Sequence, residues 1–367
     1  MYLRLIIEKF EALMFSHIVV RRFFGGVTAL IGALIALWID IPLPWLLGPL
    51  FATATLRLAS VPIAAYRPFR SVGQTVIGIS LGLYFSPEIT DLIIRHWPVL
   101  AFGMVVPLFL AIFGTWILRS IGKADLKTAW FSSAIGGASE MSALAEKYGG
   151  RVDLVASAHS LRILSVVVIV PFGFKAWQIA GLDSSLLTTR TVDLADLLVV
   201  GVLGAFGGFG ARKFGISNPW VLGPLTVAAL LTVTGFTNTS VPWWLSNGGQ
   251  LLIGWGLGDR YRPAFLKAAP RFLTGVAVFS FGCVVIVAAL GWVVSLFSAL
   301  PLPTIWLGMA PGGLAEMAIT AKVLQLGVPL VTAMQVSRMA FVVSVTGWIY
   351  RRWIEPIEKR EGPIEPD

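Results

Sequence analysis

The sequence predicts an all-α integral membrane protein of about ten transmembrane helices. They form two inverted five-helix repeats, each with an extra re-entrant or broken helix. Three observations predict it. Of 367 residues, 56 % are hydrophobic and only 13 % are charged, about half the roughly 25 % charged residues of a soluble domain. Apolar segments close to the ~20 residues that span a bilayer follow one another along the chain. Several short motifs occur twice, 175 or 176 residues apart.

Composition excludes other classes. One cysteine, Cys283, cannot form an intrachain disulfide. The apolar content excludes disorder. Fourteen tryptophans and 38 glycines suit a bilayer, where Trp gathers at interfaces and Gly is frequent in spanning helices. The net charge of +9 reads as basic cytoplasmic loops rather than a nucleic-acid surface. No nucleic-acid partner is expected, because neither terminal segment is long enough for a DNA-binding domain.

Residues 1–22 form an amphipathic N-terminal segment ending in Arg21-Arg22, with no small-residue cleavage site after its apolar core. It is expected to be an interfacial helix rather than a signal peptide. Apolar segments then run at about 23–39, 44–60, 71–86, 98–118, 153–174, 194–211, 219–236, 247–258, 272–298 and 329–350. Two further stretches, 128–146 and 304–326, are less apolar and contain Gly-Gly and Glu.

The repeats fix the organisation. Pro44-Trp45-Leu46-Leu47-Gly48-Pro49-Leu50 returns as Pro219-Trp220-Val221-Leu222-Gly223-Pro224-Leu225. Gly73-Gln74, Ile77-Gly78 and Leu81-Gly82 return as Gly249-Gln250, Ile253-Gly254 and Leu257-Gly258. Gly136-Gly137 with Glu140-Met141 returns as Gly312-Gly313 with Glu316-Met317, and Arg162 returns as Arg338. The chain therefore divides into membrane repeat 1 (23–180), a linker (181–193), membrane repeat 2 (194–352) and a cytoplasmic tail (353–367).

Basic residues set the orientation. If each Gly-Gly-Glu stretch enters and leaves on one side, each repeat has five full spans. With the N-terminus inside, the inner loops then hold Arg57, Arg67 and Arg70; Arg119, Lys123 and Lys127; Arg212 and Lys213; Arg260, Arg262, Lys267 and Arg271; and Arg351, Arg352, Lys359 and Arg360. The outer loops hold only Arg95, Lys175 and Arg190. Full spanning by the Gly-Gly-Glu stretches would put residues 260–271 outside, against the positive-inside rule. Five is odd, so the second repeat is expected to be inverted, as in many secondary transporters.

Two sets of residues could carry function. Pro44, Gly48 and Pro49, with Pro219, Gly223 and Pro224, should start or interrupt a helix, because proline lacks an N–H and glycine is permissive. Such a helix either begins at an interface beside Trp45 and Trp220 or unwinds to line a cavity. Gly136, Gly137 and Glu140, with Gly312, Gly313 and Glu316, place a carboxylate next to a flexible turn at membrane depth, where it can bind a proton or a cation. Arg162 and Arg338 could pair with the Glu of their own repeat, grip an anionic solute or snorkel to an interface. Gln74 and Gln250 could bond across helices or line a solute path. His159 matches Gln335 and reads as a hydrogen-bonding residue; Ser132, Ser133 and Ser139 could add hydroxyls near Glu140. His17, His96 and His159 have no metal-ligand spacing, and no phosphate-binding loop or nucleophile elbow occurs.

Over about residues 23–352 the chain resembles the membrane AbrB family of bacteria, which is defined by an internal membrane duplication. The two Pro-Trp-x-x-Gly-Pro-Leu copies and the two Gly-Gly-x-x-Glu-Met copies carry the resemblance. The small soluble DNA-binding regulators called AbrB share only the name. Family members bear labels of ammonia monooxygenase or regulator of gene expression. The sequence argues against the first, since oxygen chemistry needs a metal or cofactor site.

The expectation is an ion-coupled secondary transporter of a small anionic organic solute in the bacterial cytoplasmic membrane, with both termini inside. Its partners would be the lipid bilayer, the solute and a coupling proton or sodium ion. No enzyme activity, cofactor or metal is expected. The alternative is a membrane-embedded sensor that affects gene expression indirectly.

Overall fold

The computed structural model describes residues 18–179, 181, 191–261 and 269–361. Most of the amphipathic N-terminal segment, linker residues 182–190, Arg262 and Lys267 of the basic cluster, and the tail beyond 361 lie outside the described residues. Among the described residues the chain is helical, with no strand.

The first repeat forms α1 (Ile18–Trp38), α2 (Pro44–Leu58), α3 (Arg67–Gly82), α4 (Pro87–Arg95), α5 (Trp97–Ser120), α6 (Leu126–Ser133), α7 (Ala138–Lys147) and α8 (Val152–Ala176). The second forms α9 (Leu194–Lys213), α10 (Pro219–Val233), α11 (Trp243–Gly258), α12 (Pro270–Phe297), α13 (Leu302–Met309), α14 (Leu314–Val323) and α15 (Val328–Ile349). A π-helical turn (Tyr350–Ile354) leads into α16 (Glu355–Glu361). The motif offsets align α1 with α9, α2 with α10, α3 with α11, α5 with α12, α6 with α13, α7 with α14 and α8 with α15.

Among the described residues, six helical runs are long and apolar enough to cross a membrane: α1, α5, α8, α9, α12 and Val328–Arg360. Helices α3 and α4 together qualify as one run bent by 85°. The chain is therefore a membrane protein. Helices α2, α10 and α11, with 15 or 16 residues, fall short of the ~20 that cross a bilayer at 1.5 Å per residue. Exposed apolar side chains on α1 (Phe23, Ile31, Trp38) and α9 (Leu198, Phe206, Phe209) form faces that suit acyl chains.

Packing defines two compact units: residues 1–77 with 241–267, and residues 78–240 with 268–367. In the first, Gly48 of α2 lies so close to Gly32 and Ala33 of α1 that a Cβ would strike backbone. Gly254 and Gly258 of α11 sit on the carbonyls of Leu46 and Leu50 in α2, and Gly73 faces Gly249. Arg57 closes this unit through an ion pair with Asp259 (3.1 Å).

The second unit repeats the pattern. Gly223 of α10 sits on Gly207 and Gly208 of α9, while Gly78 and Gly82 of α3 sit on the carbonyls of Val221 and Leu225 in α10. The third helix of each repeat thus packs on the second helix of the other. Small residues four apart permit this close backbone approach, which replaces the hydrophobic drive lost in lipid. Deeper in this unit, α5 packs on α15 and α8 on α12, again across the repeats. Val106, Leu110, Phe279, Cys283, Met309 and Met334 form the core between them.

The Pro-Trp-x-x-Gly-Pro motif needs a correction. Pro44 and Pro219 open helices, but Gly48, Pro49, Gly223 and Pro224 lie inside α2 and α10, which continue to Leu58 and Val233. These residues start a helix and do not unwind it. Proline suits the first turn, where its missing N–H leaves no bond unmade. The preceding Leu43 and Asn218 adopt left-handed backbone, with φ of 53° and 48°. The same sharp entry therefore occurs at both matching positions.

Candidate functional site

The second unit contains both helix breaks. Helices α6 and α7 are separated by non-helical residues 134–137, and α13 and α14 by non-helical residues 310–313. Each break has one helix ending in unpaired carbonyls and one beginning with unpaired N–H groups. The repeats place opposite charges at the two ends.

Arginine serves the carbonyl end. Arg162 Nη1 donates to Ala134 O (3.4 Å), and Arg338 Nη1 donates to the matching Ala310 O and to Met309 O (3.5 Å). Arg338 Nη2 also donates to Gly312 O (3.2 Å) and Gln335 Oε1 (2.6 Å). One turn earlier, His159 Nε2 bonds Phe131 O (2.9 Å), and Gln335 Nε2 donates to the matching Leu307 O (2.7 Å). Histidine and glutamine thus do the same work at matching positions. Cations at a helix C-terminus also complement its dipole.

These contacts correct the simplest sequence expectation, that each Arg pairs with the Glu of its own repeat. Both guanidiniums are buried rather than snorkelling, and their hydrogen-bond partners are carbonyls and one amide. They lie within electrostatic reach of one another.

Glutamate serves the amide end. Glu140 and Glu316 occupy the first turns of α7 and α14 and fold back over Gly137 and Gly313. A Cβ on either glycine would collide with the carboxylate oxygen. The backbone at both is ordinary β-region (φ −68° and −80°), so these glycines supply space rather than an unusual dihedral. Gly136 and Gly312 likewise make room for the thioethers of Met141 and Met317. The motif is two glycines, each yielding its Cβ position to one side chain of the Glu-Met pair.

Neither carboxylate has an ion-pair partner among the described residues. They differ in exposure: Glu140 is partly open and accepts from Ser139 Oγ (3.2 Å), whereas Glu316 is 6 % exposed. Ser133 bonds Ala111 O and Thr115 and so ties α6 to α5.

Lys322 was not singled out from the sequence. Its Nζ donates to Ser80 Oγ of α3 (2.5 Å) and joins the end of α14 to that helix. A lysine inside the apolar stretch 304–326 was the available signal. Gln74 and Gln250 belong to the first compact unit, each next to the Gly73–Gly249 contact. Gln250 donates to Asn247 Oδ1 (3.4 Å), a bond within α11 rather than across helices. Among the described residues, no three of His, Cys, Asp and Glu gather as metal ligands.

The family model described as "Transition state regulatory protein AbrB" matches residues 45–354. The chain belongs to the AbrB family. It is 28 % identical over 335 residues to "Uncharacterized protein YhjN" of Bacillus subtilis (strain 168), covering 85 % of this chain and 87 % of that protein. It is 26 % identical over 320 residues to "Putative regulator AbrB" of Escherichia coli (strain K12), covering 86 % of this chain and 91 % of that protein. The AbrB match spans both helix breaks and every Glu and Arg placed at them.

Proposed function

We propose that this AbrB-family chain is an ion-coupled secondary transporter of a small anionic organic solute. The observation that carries the reading is the pair of carboxylates, Glu140 and Glu316, at matching helix breaks with no cationic partner among the described residues. A carboxylate held at membrane depth without a counter-charge suits reversible binding of a proton or sodium ion. The nearby guanidiniums supply positive potential for an anion. In this reading the five longer helices of each repeat form inverted halves, ten spans in all, in a bacterial cytoplasmic membrane with both termini inside. The solute site lies between broken helices, where such transporters place it. No catalytic step and no nucleic-acid contact are assigned.

Charge movement in proteoliposomes tests this reading, using small carboxylates, amino acids and ammonium with and without proton and sodium gradients. A solute-dependent current lost in the Glu140→Gln/Glu316→Gln variant is expected. Unchanged current or tracer flux in that variant would sink the coupling role.

The regulator names of the family model and of the E. coli relative favour a second reading. In it, the same site binds a solute and signals to a partner. Ligand-dependent thermal stabilisation with no flux under any gradient would select it.

A further inference from the structure

The two helix breaks match in sequence but differ in how well their polar groups are satisfied. In the second repeat, both terminal nitrogens of Arg338 donate to carbonyls or to Gln335. Gln335 uses both ends of its amide, and Trp306 Nε1 donates to Ala288 O (2.9 Å). In the first repeat the matching groups are left open. Arg162 has one long bond, to Ala134 O, and its Nε is buried without a partner, as is Arg338 Nε in the second repeat. His159 Nδ1 and Trp130 Nε1 are buried without partners. Ser132 Oγ, whose counterpart is Gly308, is likewise buried and unpartnered. Arg162 is 2 % exposed and His159 0 %. Unpaired polar groups this deep are costly, and each calls for a ligand or ordered water.

Chemistry narrows the occupant. Arg162 offers N–H donors and a positive charge, with Arg338 adding to the field. That combination selects an anion, and the planar guanidinium fork fits a carboxylate. His159 Nε2 donates to Phe131 O, so Nδ1 is an acceptor and requires a donor. An ammonium donor would be repelled by the two guanidiniums, whereas a neutral hydroxyl would not. His159 and Arg162 are three residues apart on α8 and so share one face of the helix, where a carboxylate with a hydroxyl on the next carbon offers one group to each.

We propose that the break of the first repeat is a binding subsite for a small 2-hydroxycarboxylate, with Arg162 holding the carboxylate and His159 Nδ1 accepting from the hydroxyl. At the matching break of the second repeat, Gln335 and the terminal nitrogens of Arg338 are already engaged with carbonyls and with each other, so no equivalent subsite is assigned there. The proposal deepens the transport reading and rests on it only for the movement of the occupant.

Binding of lactate, propionate, alanine and inorganic phosphate to the full chain in lipid nanodiscs tests the subsite, with thermal unfolding as the check on folding. Lactate should bind tightest. Arg162→Gln should weaken lactate by about tenfold or more, the scale of a lost charge-assisted bond. His159→Gln should do the same without unfolding the protein, because Gln335 makes the equivalent carbonyl bond. The new amide oxygen would occupy Arg162 as Gln335 occupies Arg338. Equal lactate affinity in wild type, Arg162→Gln and His159→Gln would overturn the subsite, as would no binding of any probe by folded wild type. Propionate equal to lactate would overturn the hydroxyl contact, and tighter phosphate would overturn the carboxylate class. Lactate binding that Arg162→Gln abolishes, together with no flux of any probe under any gradient, would uphold the subsite and remove the transport reading. Flux of another solute that survives Arg162→Gln would do the reverse.

Discussion

Gly137 and Gly313 place a carboxylate where a methyl group would otherwise be, and this exchange accounts for the spacing of the motif. Because the obstructing atoms are the ends of flexible side chains, Gly137→Ala should fold with a stability change of about 1 kcal/mol or less. The displaced Glu140 should nevertheless lose its position. Charge movement in proteoliposomes should fall while the thermal midpoint stays close to wild type. Arg338 and Arg162 should part company in the opposite sense. Arg338→Gln strips several buried carbonyls of their donor and should cost about 2–4 kcal/mol. Arg162→Gln removes a single long bond and should cost less, by denaturant titration in detergent. Equal costs would show that the two breaks are held alike.

The elements are joined by backbone contact at glycines. A methyl group on Gly48 or Gly223 meets the backbone of the neighbouring helix, which cannot turn aside as a side chain can. Gly48→Ala and Gly223→Ala should each destabilise by about 1–3 kcal/mol. Gly201→Ala on α9 is the control: nothing lies within 4 Å of the added carbon. Thermal unfolding that ranks Gly201→Ala with the other two would rule out close packing as the reason for these glycines. The glycine pairs Gly78/Gly82 and Gly254/Gly258 were legible as repeats. Their partners were not, because a sequence offset shows that two segments correspond and not which segments touch.

At the scale of the whole molecule, the proposed orientation predicts accessibility. Cys283 is fully buried, so the wild-type chain should resist a membrane-impermeant thiol reagent. Cysteines placed at Arg260 and Arg351 should label only from the cytoplasmic side, and one at Trp243 only from the other side. Labelling of residue 260 from outside would overturn the inverted arrangement, because the basic cluster would then lie on the wrong face.

The sequence by itself determined the membrane class, the duplication, and which residues recur in both halves. Composition and motif offsets are linear properties and need no coordinates. It also marked Glu140, Glu316, Arg162 and Arg338, because charge in an apolar stretch stands out. Only the tertiary structure decided what those charges face. The arginines turned to helix-end carbonyls rather than to the glutamates, since a helix terminus carries orphan groups that sequence does not display. Pro49 and Pro224 lie within α2 and α10 rather than ending them. The difference between the two breaks was likewise hidden. His159 and Gln335, or Ser132 and Gly308, read as small departures from a repeat. Only the count of donors and acceptors around each shows that the first break leaves Trp130, Ser132, His159 and Arg162 atoms unpartnered, whereas the second leaves only Arg338 Nε.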